Sequence, residues 1–212
     1  MQQNILGVVL AGGRSRRFGQ DKAVAQLDGR RLIEHVVARG RLQTAAFAIS
    51  GRDYGLDLPV IPDIQPSEGP LTGVLSALQW ARLAGYSAVA TFSCDAPFFP
   101  ADLVARLAEK APPTMGCSLV SAQGMRHPVF ALWRVCALAR LQEVYASGTR
   151  SLMAAQDQVG AIEVAFATGP GPGGDMFFNI NSRNDQAFAQ AWLAHRSSPS
   201  GLGTAPLNAR HD

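Results

Sequence analysis

Three groups of residues in this chain have types and spacing that could do chemistry: a phosphate cradle, a carboxylate suited to a cation and a pair of amides. The first is VVLAGGRSRRFGQDK, Val8 to Lys22, where an aliphatic run gives way to Gly12 and Gly13, with Arg14, Arg16, Arg17 and Lys22 close behind. Glycines let backbone N–H groups turn toward phosphate oxygens, and arginine and lysine neutralise the charge. The spacing is not G-x-x-x-x-G-K-[ST], because Lys22 is followed by Ala23, nor is it G-x-G-x-x-G with a downstream ribose acid. On glycine and charge content alone, a tight turn with a solvated basic loop remains a second reading. The other two groups lie further along the chain, around Asp95 and around Asn179 and Asn181.

In ATFSCDAPFFP an apolar run ends at the Asp95 carboxylate, a costly place for a charge unless it is paired or holds a cation. Magnesium suits such a site, since it takes one or two carboxylates plus substrate phosphates. The alternative makes Asp95 a cap for the helix after Pro100, although Asp102 lies nearer that helix's first turn. In FFNIN, Asn179 and Asn181 stand two apart, hence on one face of a strand. They would bond a polar ligand or serve a turn with Asn184. His127 in RHPVF either meets an anion or marks the rigid extended residue before a proline. No Ser/His/Asp or Cys/His arrangement offers a nucleophile, and Cys94 reads as core packing.

Positioning these residues requires buried strands that end at a common edge. ILGVVL, AAFAIS, LPVIPD and AVATFSCD read as strands, alternating with the helical patterns RLIEHVVARG (closed by Gly40), LTGVLSALQWARLAG and PADLVARLAEKA. That order predicts an α/β sandwich with a largely parallel sheet. CSLVSA and HPVFALW, joined by QGMR, read as a hairpin, and RVCALARLQEVYASG and SLMAAQDQV as helices. IEVAFA and MFFNIN follow as strands, and NDQAFAQAWLAHR closes the domain as a helix. TGPGPGGD, residues 168–175, reads as a mobile surface loop and 197–212 as a disordered tail after a single 1–196 domain. In an open parallel sheet ligands bind beyond the carboxyl ends of the strands. Gly12 and Gly13, Ser50, Asp63 and Asp95 each follow such a strand, and Asn179 and Asn181 belong to the short last one.

The 212 residues suffice for one domain with a real core, and the formal charge of +3 is too mild to indicate nucleic acid or a membrane surface. Three widely spaced cysteines form neither a disulfide framework nor a zinc pattern, which fits a reducing compartment. The N-terminus lacks the features of a signal peptide, and no run approaches the roughly 20 apolar residues of a membrane span. A soluble cytoplasmic monomer is expected.

LAGGRSRRFGQDK, GPLTGVLSAL, FSCDAPFFP, HPVFAL and FFNINSRND together resemble the molybdenum cofactor guanylyltransferases, in order from about Ile5 to Trp192. The resemblance implies a Rossmann-like three-layer α/β/α sandwich and transfer of GMP from GTP to the terminal phosphate of molybdenum-molybdopterin. It implies that Leu10, Ala11, Gly12 and Gly13 line the nucleotide, that Lys22, Arg16 and Arg17 face phosphate, and that Asp63 contacts the nucleotide. It further implies that Asp95 binds Mg2+ and that Asn179 and Asn181 lie toward the molybdopterin. Lys22, Asp95 and Arg17 are thus the expected catalytic residues. Ser50 stands where the family often has asparagine in contact with the nucleotide, and Phe18 where methionine is usual. LAGG is the form similar to the guanine-using enzymes, whereas cytidine-using relatives typically read LAAG. Transient contacts with cofactor-handling proteins or apo-molybdoenzymes are implied as well. A cytidylyltransferase of the same fold and a non-catalytic nucleotide-binding module are the alternatives.

Overall fold

The computed structural model describes residues 4–11, 21–63, 69–111 and 116–197. Gly12, Gly13, Arg14, Arg16, Arg17 and Phe18 lie outside them, as does the tail from residue 198. The chain enters through β1 (Ile5–Leu10), whose side chains are buried on both faces. Beyond it come a short β2 (Gln26–Leu27) and β3 (Arg30–Arg31) hairpin, then α1 (Leu32–Gly40), β4 (Ala46–Ser50) and β5 (Val60–Ile61). Helix α2 (Pro70–Leu83) begins with proline at its first position, where no N–H is needed, and leads into β6 (Ala88–Ser93) and α3 (Leu103–Lys110). The second half contributes β7 (Cys117–Ala122), β8 (Met125–Arg134), α4 (Leu138–Ala146), α5 (Leu152–Gln158), β9 (Ile162–Phe166) and α6 (Arg183–Ser197).

Seven strands form one sheet in the order β5-β4-β1-β6-β8-β7-β9. Only β8 runs against its neighbours, so the sheet is mostly parallel, as the alternating pattern predicts. Alternation along β1 separates two cores. Ile5 and Val9 meet α1 and α3 on one side, and Leu6 and Val8 meet α2, α4 and α5 on the other. The result is the expected Rossmann-like α/β/α sandwich. A third apolar group joins β2 to α6 through Leu27, Phe98, Ile180 and Ala189.

The β7–β8 hairpin is present, and its two central residues explain the turn. Gln123 and Gly124 have φ of 51° and 74°, the paired positive values of a type I′ turn. The register shifts between Leu119 and Val120, and Pro128 sits in the resulting bulge, where a missing N–H removes nothing from the ladder.

Four local expectations need correction. MFFNIN is not a strand: the Ile180 N–H donates to the carbonyl of Asp95 at 2.9 Å, the Phe177 and Asn181 N–H groups donate to aspartate side chains, and among the described residues no strand pairs with it. Gly40 does close α1, as expected, although its φ is −72°, the chain continues as a 3-10 turn to Gln43, and a Cβ there would come within 2.5 Å of the Phe47 ring. The PADLV helix starts at Leu103 with Asp102 as its flanking residue, not at Pro100. LPVIPD pairs with β4 only at Val60 and Ile61, with the Pro59 carbonyl accepting from the Ile49 N–H at 2.9 Å, because β5 is a sheet edge flanked by prolines that have no N–H to give. Residues 168–175 are not a detached surface loop. Gly171 and Pro172 are buried, and Gly171 approaches the Asp175 carbonyl too closely to admit a Cβ.

Candidate functional site

The sheet register sets the strand ends level. Leu10 lies opposite Ser50 on one side and Ser93 on the other, and Ser50 lies opposite Ile61. The next residues therefore leave the sheet along a single edge, where the Ala11 N–H donates to the Ser50 carbonyl at 3.1 Å. That is the carboxyl edge at which open parallel sheets bind ligands.

At this edge Lys22 and Asp95 meet. Lys22 Nζ is 3.3 Å from Asp95 Oδ2 and also donates to Asn181 Oδ1. The two charged side chains are only 19% and 15% exposed, so solvent screens the pair less than a surface ion pair. Asp95 is held from two further directions. Ser93 Oγ donates to its Oδ1 at 2.6 Å, and its own carbonyl accepts from Ile180 N–H. The second tie brings Asn181 alongside Lys22. Asn181 is fixed in turn at the entry of α6, where its N–H donates to Asp185 Oδ2 at 2.9 Å and the Asp185 N–H donates to Ser182 Oγ.

Asp95 is not a helix cap. Its carboxylate is engaged by Ser93 and Lys22, eight positions before α3 begins. Asn179 and Asn181 are both exposed and flank the buried Ile180, but only Asn181 bonds to Lys22. Asp63 follows β5 and stands apart from this group. It is half-buried, and burial raises its carboxyl pKa above the usual range. Ser50 is buried beneath α2, its Oγ 2.7 Å from where a Cβ on Gly73 would stand. His127 packs its ring 5.0 Å from Phe177, and burial lowers its pKa against the opposing pull of Asp175. Burial, then Asp95, pushes the Cys94 thiol up to about 12, so it is not a thiolate nucleophile near neutral pH.

Sequence reasoning missed the residues that hold the ends of the 12–20 segment. Tyr54 is 7% exposed, and its hydroxyl lies 3.0 Å from the Ala11 carbonyl and 2.9 Å from Asp21 Oδ2. Ala11 immediately precedes that segment and Asp21 immediately follows it. Arg52 also donates to Asp21 Oδ2, while Asp21 Oδ1 accepts from the Ala23 N–H and caps the turn that begins with Lys22. These contacts span 33 and 43 residues, and a lone tyrosine in GRDYG carries no local signal for them.

A hard divalent cation fits this donor set as a guest of the substrate. Asp95 supplies one carboxylate with an oxygen already facing a positive charge. The described residues contain no group of three or more His, Cys, Asp or Glu able to hold an ion unaided. No helix among them is long and apolar enough to cross a membrane.

Known proteins resemble this chain over most of its length. Residues 7–159 match the model of the MobA-like NTP transferase domain. A protein named molybdenum cofactor guanylyltransferase from Rhizobium leguminosarum bv. trifolii is 40% identical over 200 residues, 91% of this chain and 94% of that one. One of the same name from Rhodobacter capsulatus is 39% identical over 193 residues, 88% of this chain and 95% of the relative. Among solved structures, molybdopterin-guanine dinucleotide biosynthesis protein A from Archaeoglobus fulgidus superposes with a TM-score of 0.69. It is 21% identical and covers 89% of this chain and 98% of its own, a likeness of fold.

Proposed function

We propose, starting from a chain that belongs to the MobA-like NTP transferase family and within it to the molybdenum cofactor guanylyltransferases, that it transfers GMP from GTP to the terminal phosphate of molybdenum-molybdopterin. An oxygen of that phosphate attacks the α-phosphorus of GTP, the bond to the bridging oxygen before the β-phosphorus breaks, and pyrophosphate leaves. The observation that carries the reading is the meeting of Lys22, Asp95 and Asn181 at the carboxyl edge of β1 and β6.

The chemistry asks little of the protein beyond placement and charge. The attacking phosphate is an anion near neutral pH, so no general base is required, consistent with the raised thiol of Cys94. Lys22 donates to the phosphates and stabilises charge on the departing pyrophosphate, exchanging its bond to Asp95 for one to substrate. Asp95 would hold Mg2+, which when bound neutralises phosphate oxygens as a Lewis acid. Leu10 and Ala11, with Gly12 and Gly13 after them, line the nucleotide, with Ser50 and Asp63 at the neighbouring strand ends. Arg17 adds positive charge to the phosphates. Asn181 directs the molybdopterin side, with Asn179 further out.

On the same reading the protein acts as a cytoplasmic monomer and passes its product through transient contacts with cofactor-handling proteins or apo-molybdoenzymes. Calorimetric titration with GTP, CTP, ATP and UTP, each with and without magnesium, tests the nucleotide. Magnesium-enhanced preference for GTP is expected. Preference for CTP would move the assignment to a cytidylyl enzyme.

A further inference from the structure

Away from Lys22 and Asp95, the two helices α1 and α6 and the turn after β6 enclose a cavity of about 240 Å3. Its polar side is entirely cationic or imidazole: His35 and Arg39 from α1, and Arg196 from α6. Its apolar side includes Phe98, Trp192 and Leu193. Among the described residues neither arginine forms an ion pair with an acid. Burial first, and then the charge of Arg196, lowers the pKa of Arg39, and no described acid neutralises this pair of arginines.

His35 and Arg39 are half-buried and hydrogen-bonded, and Arg196, although exposed, lies over an aromatic ring. Arg39 donates its Nε–H to the Phe99 carbonyl, which leaves its terminal N–H groups for another acceptor. Arg196 lies 4.9 Å over the Trp192 ring, and Trp192 meets Phe98 edge-on at 5.1 Å. His35 Nε2 donates to the Leu27 carbonyl at 2.7 Å, since a carbonyl only accepts. Two guanidinium groups beside an aromatic wall suit an anionic head carried on a flat apolar body.

We infer that this cavity is an anion subsite, distinct from the Lys22–Asp95 cleft, that takes a small phosphate or carboxylate with an aromatic or apolar body. The volume is below the roughly 300–1,000 Å3 that pockets for drug-sized ligands enclose, which favours a ligand smaller than a nucleoside triphosphate. No residue lining it belongs to the nucleotide site described above, so the inference does not rest on the guanylyltransferase reading.

Calorimetric titration of the full chain with phenyl phosphate tests it, with benzoate and inorganic phosphate as separate arms. The expected result is saturable one-to-one binding of phenyl phosphate that survives the presence of GTP and magnesium. A stronger benzoate arm would identify a carboxylate as the preferred head, whereas inorganic phosphate should bind more weakly because it leaves the aromatic wall uncovered. Arg39→Gln and Arg196→Gln should each weaken binding about tenfold or more, the scale of a lost charge-assisted hydrogen bond. Arg196 is exposed, so its substitution tests the site even if Arg39→Gln disturbs the fold. Absence of saturable binding in both organic arms, displacement by GTP, or undiminished binding to Arg196→Gln would each overturn the inference.

Discussion

Lys22 and Asp95 stand 3.3 Å apart although 73 residues separate them in the chain. Each is the other's counterion at the carboxyl edge of the sheet. On the proposed function, a triphosphate with its metal would compete for both partners at once.

Asp95→Asn removes the carboxylate but keeps the shape and the Ser93 contact. Turnover should fall about 100- to 1,000-fold, as when one preorganised electrostatic group is lost. Binding of GTP should change far less, because Lys22 is released from its ion pair. Steady-state pyrophosphate release and calorimetry on the same variant separate the two effects. Unchanged turnover would remove Asp95 from the metal role.

Lys22→Gln should act on both steps. Losing a charged donor to phosphate should weaken GTP binding roughly tenfold and lower kcat as well. A variant that binds GTP normally and turns over normally would show that Lys22 only balances Asp95.

Tyr54→Phe should raise the KM for GTP by about two- to tenfold and lower neutral-pH stability by about 0.5–1.5 kcal/mol, the range of one net hydrogen bond. The reason is the grip of the hydroxyl on Ala11 and Asp21, at the two ends of the glycine segment. Burial, with the Asp21 bond adding to it, raises the pKa of Tyr54 from 10.0 to about 12. The folded state thus favours neutral Tyr54: its contribution is complete below pH 10.0 and is lost as pH rises toward about 12. Denaturant melts over that window should show a shallower loss of stability in Tyr54→Phe than in the wild type.

Gly40→Ala should lower stability by about 1–3 kcal/mol through overpacking, partly offset by roughly 1 kcal/mol of better helix propensity. The added Cβ would meet the Phe47 ring, which is already buried between α1 and β1. A reduced melting temperature with unaltered nucleotide preference is the expected result.

The central strands could be read in the sequence because ILGVVL and AVATFS are buried on both faces and leave little doubt about their period. Their order and the switch to a hairpin after Gly116 then fixed most of the sheet. Residues 176–181 misled because alternation around Ile180 looks like a strand even where no partner strand lies beside it. At the candidate site, the Asp95 charge was legible at the end of an apolar run, whereas Lys22 alone reads as a surface lysine and stood out only through the family resemblance. Ser93 and Tyr54 were not, since their roles arise only when the sheet register and long-range contacts bring them into place.

The most direct test supplies molybdenum-molybdopterin and magnesium with GTP labelled at either the α- or the γ-phosphorus. The account predicts that the α-label enters the pterin dinucleotide and that γ-label leaves as pyrophosphate, one for one. Transfer from CTP in place of GTP, or pterin left unlabelled by α-labelled GTP, would contradict it.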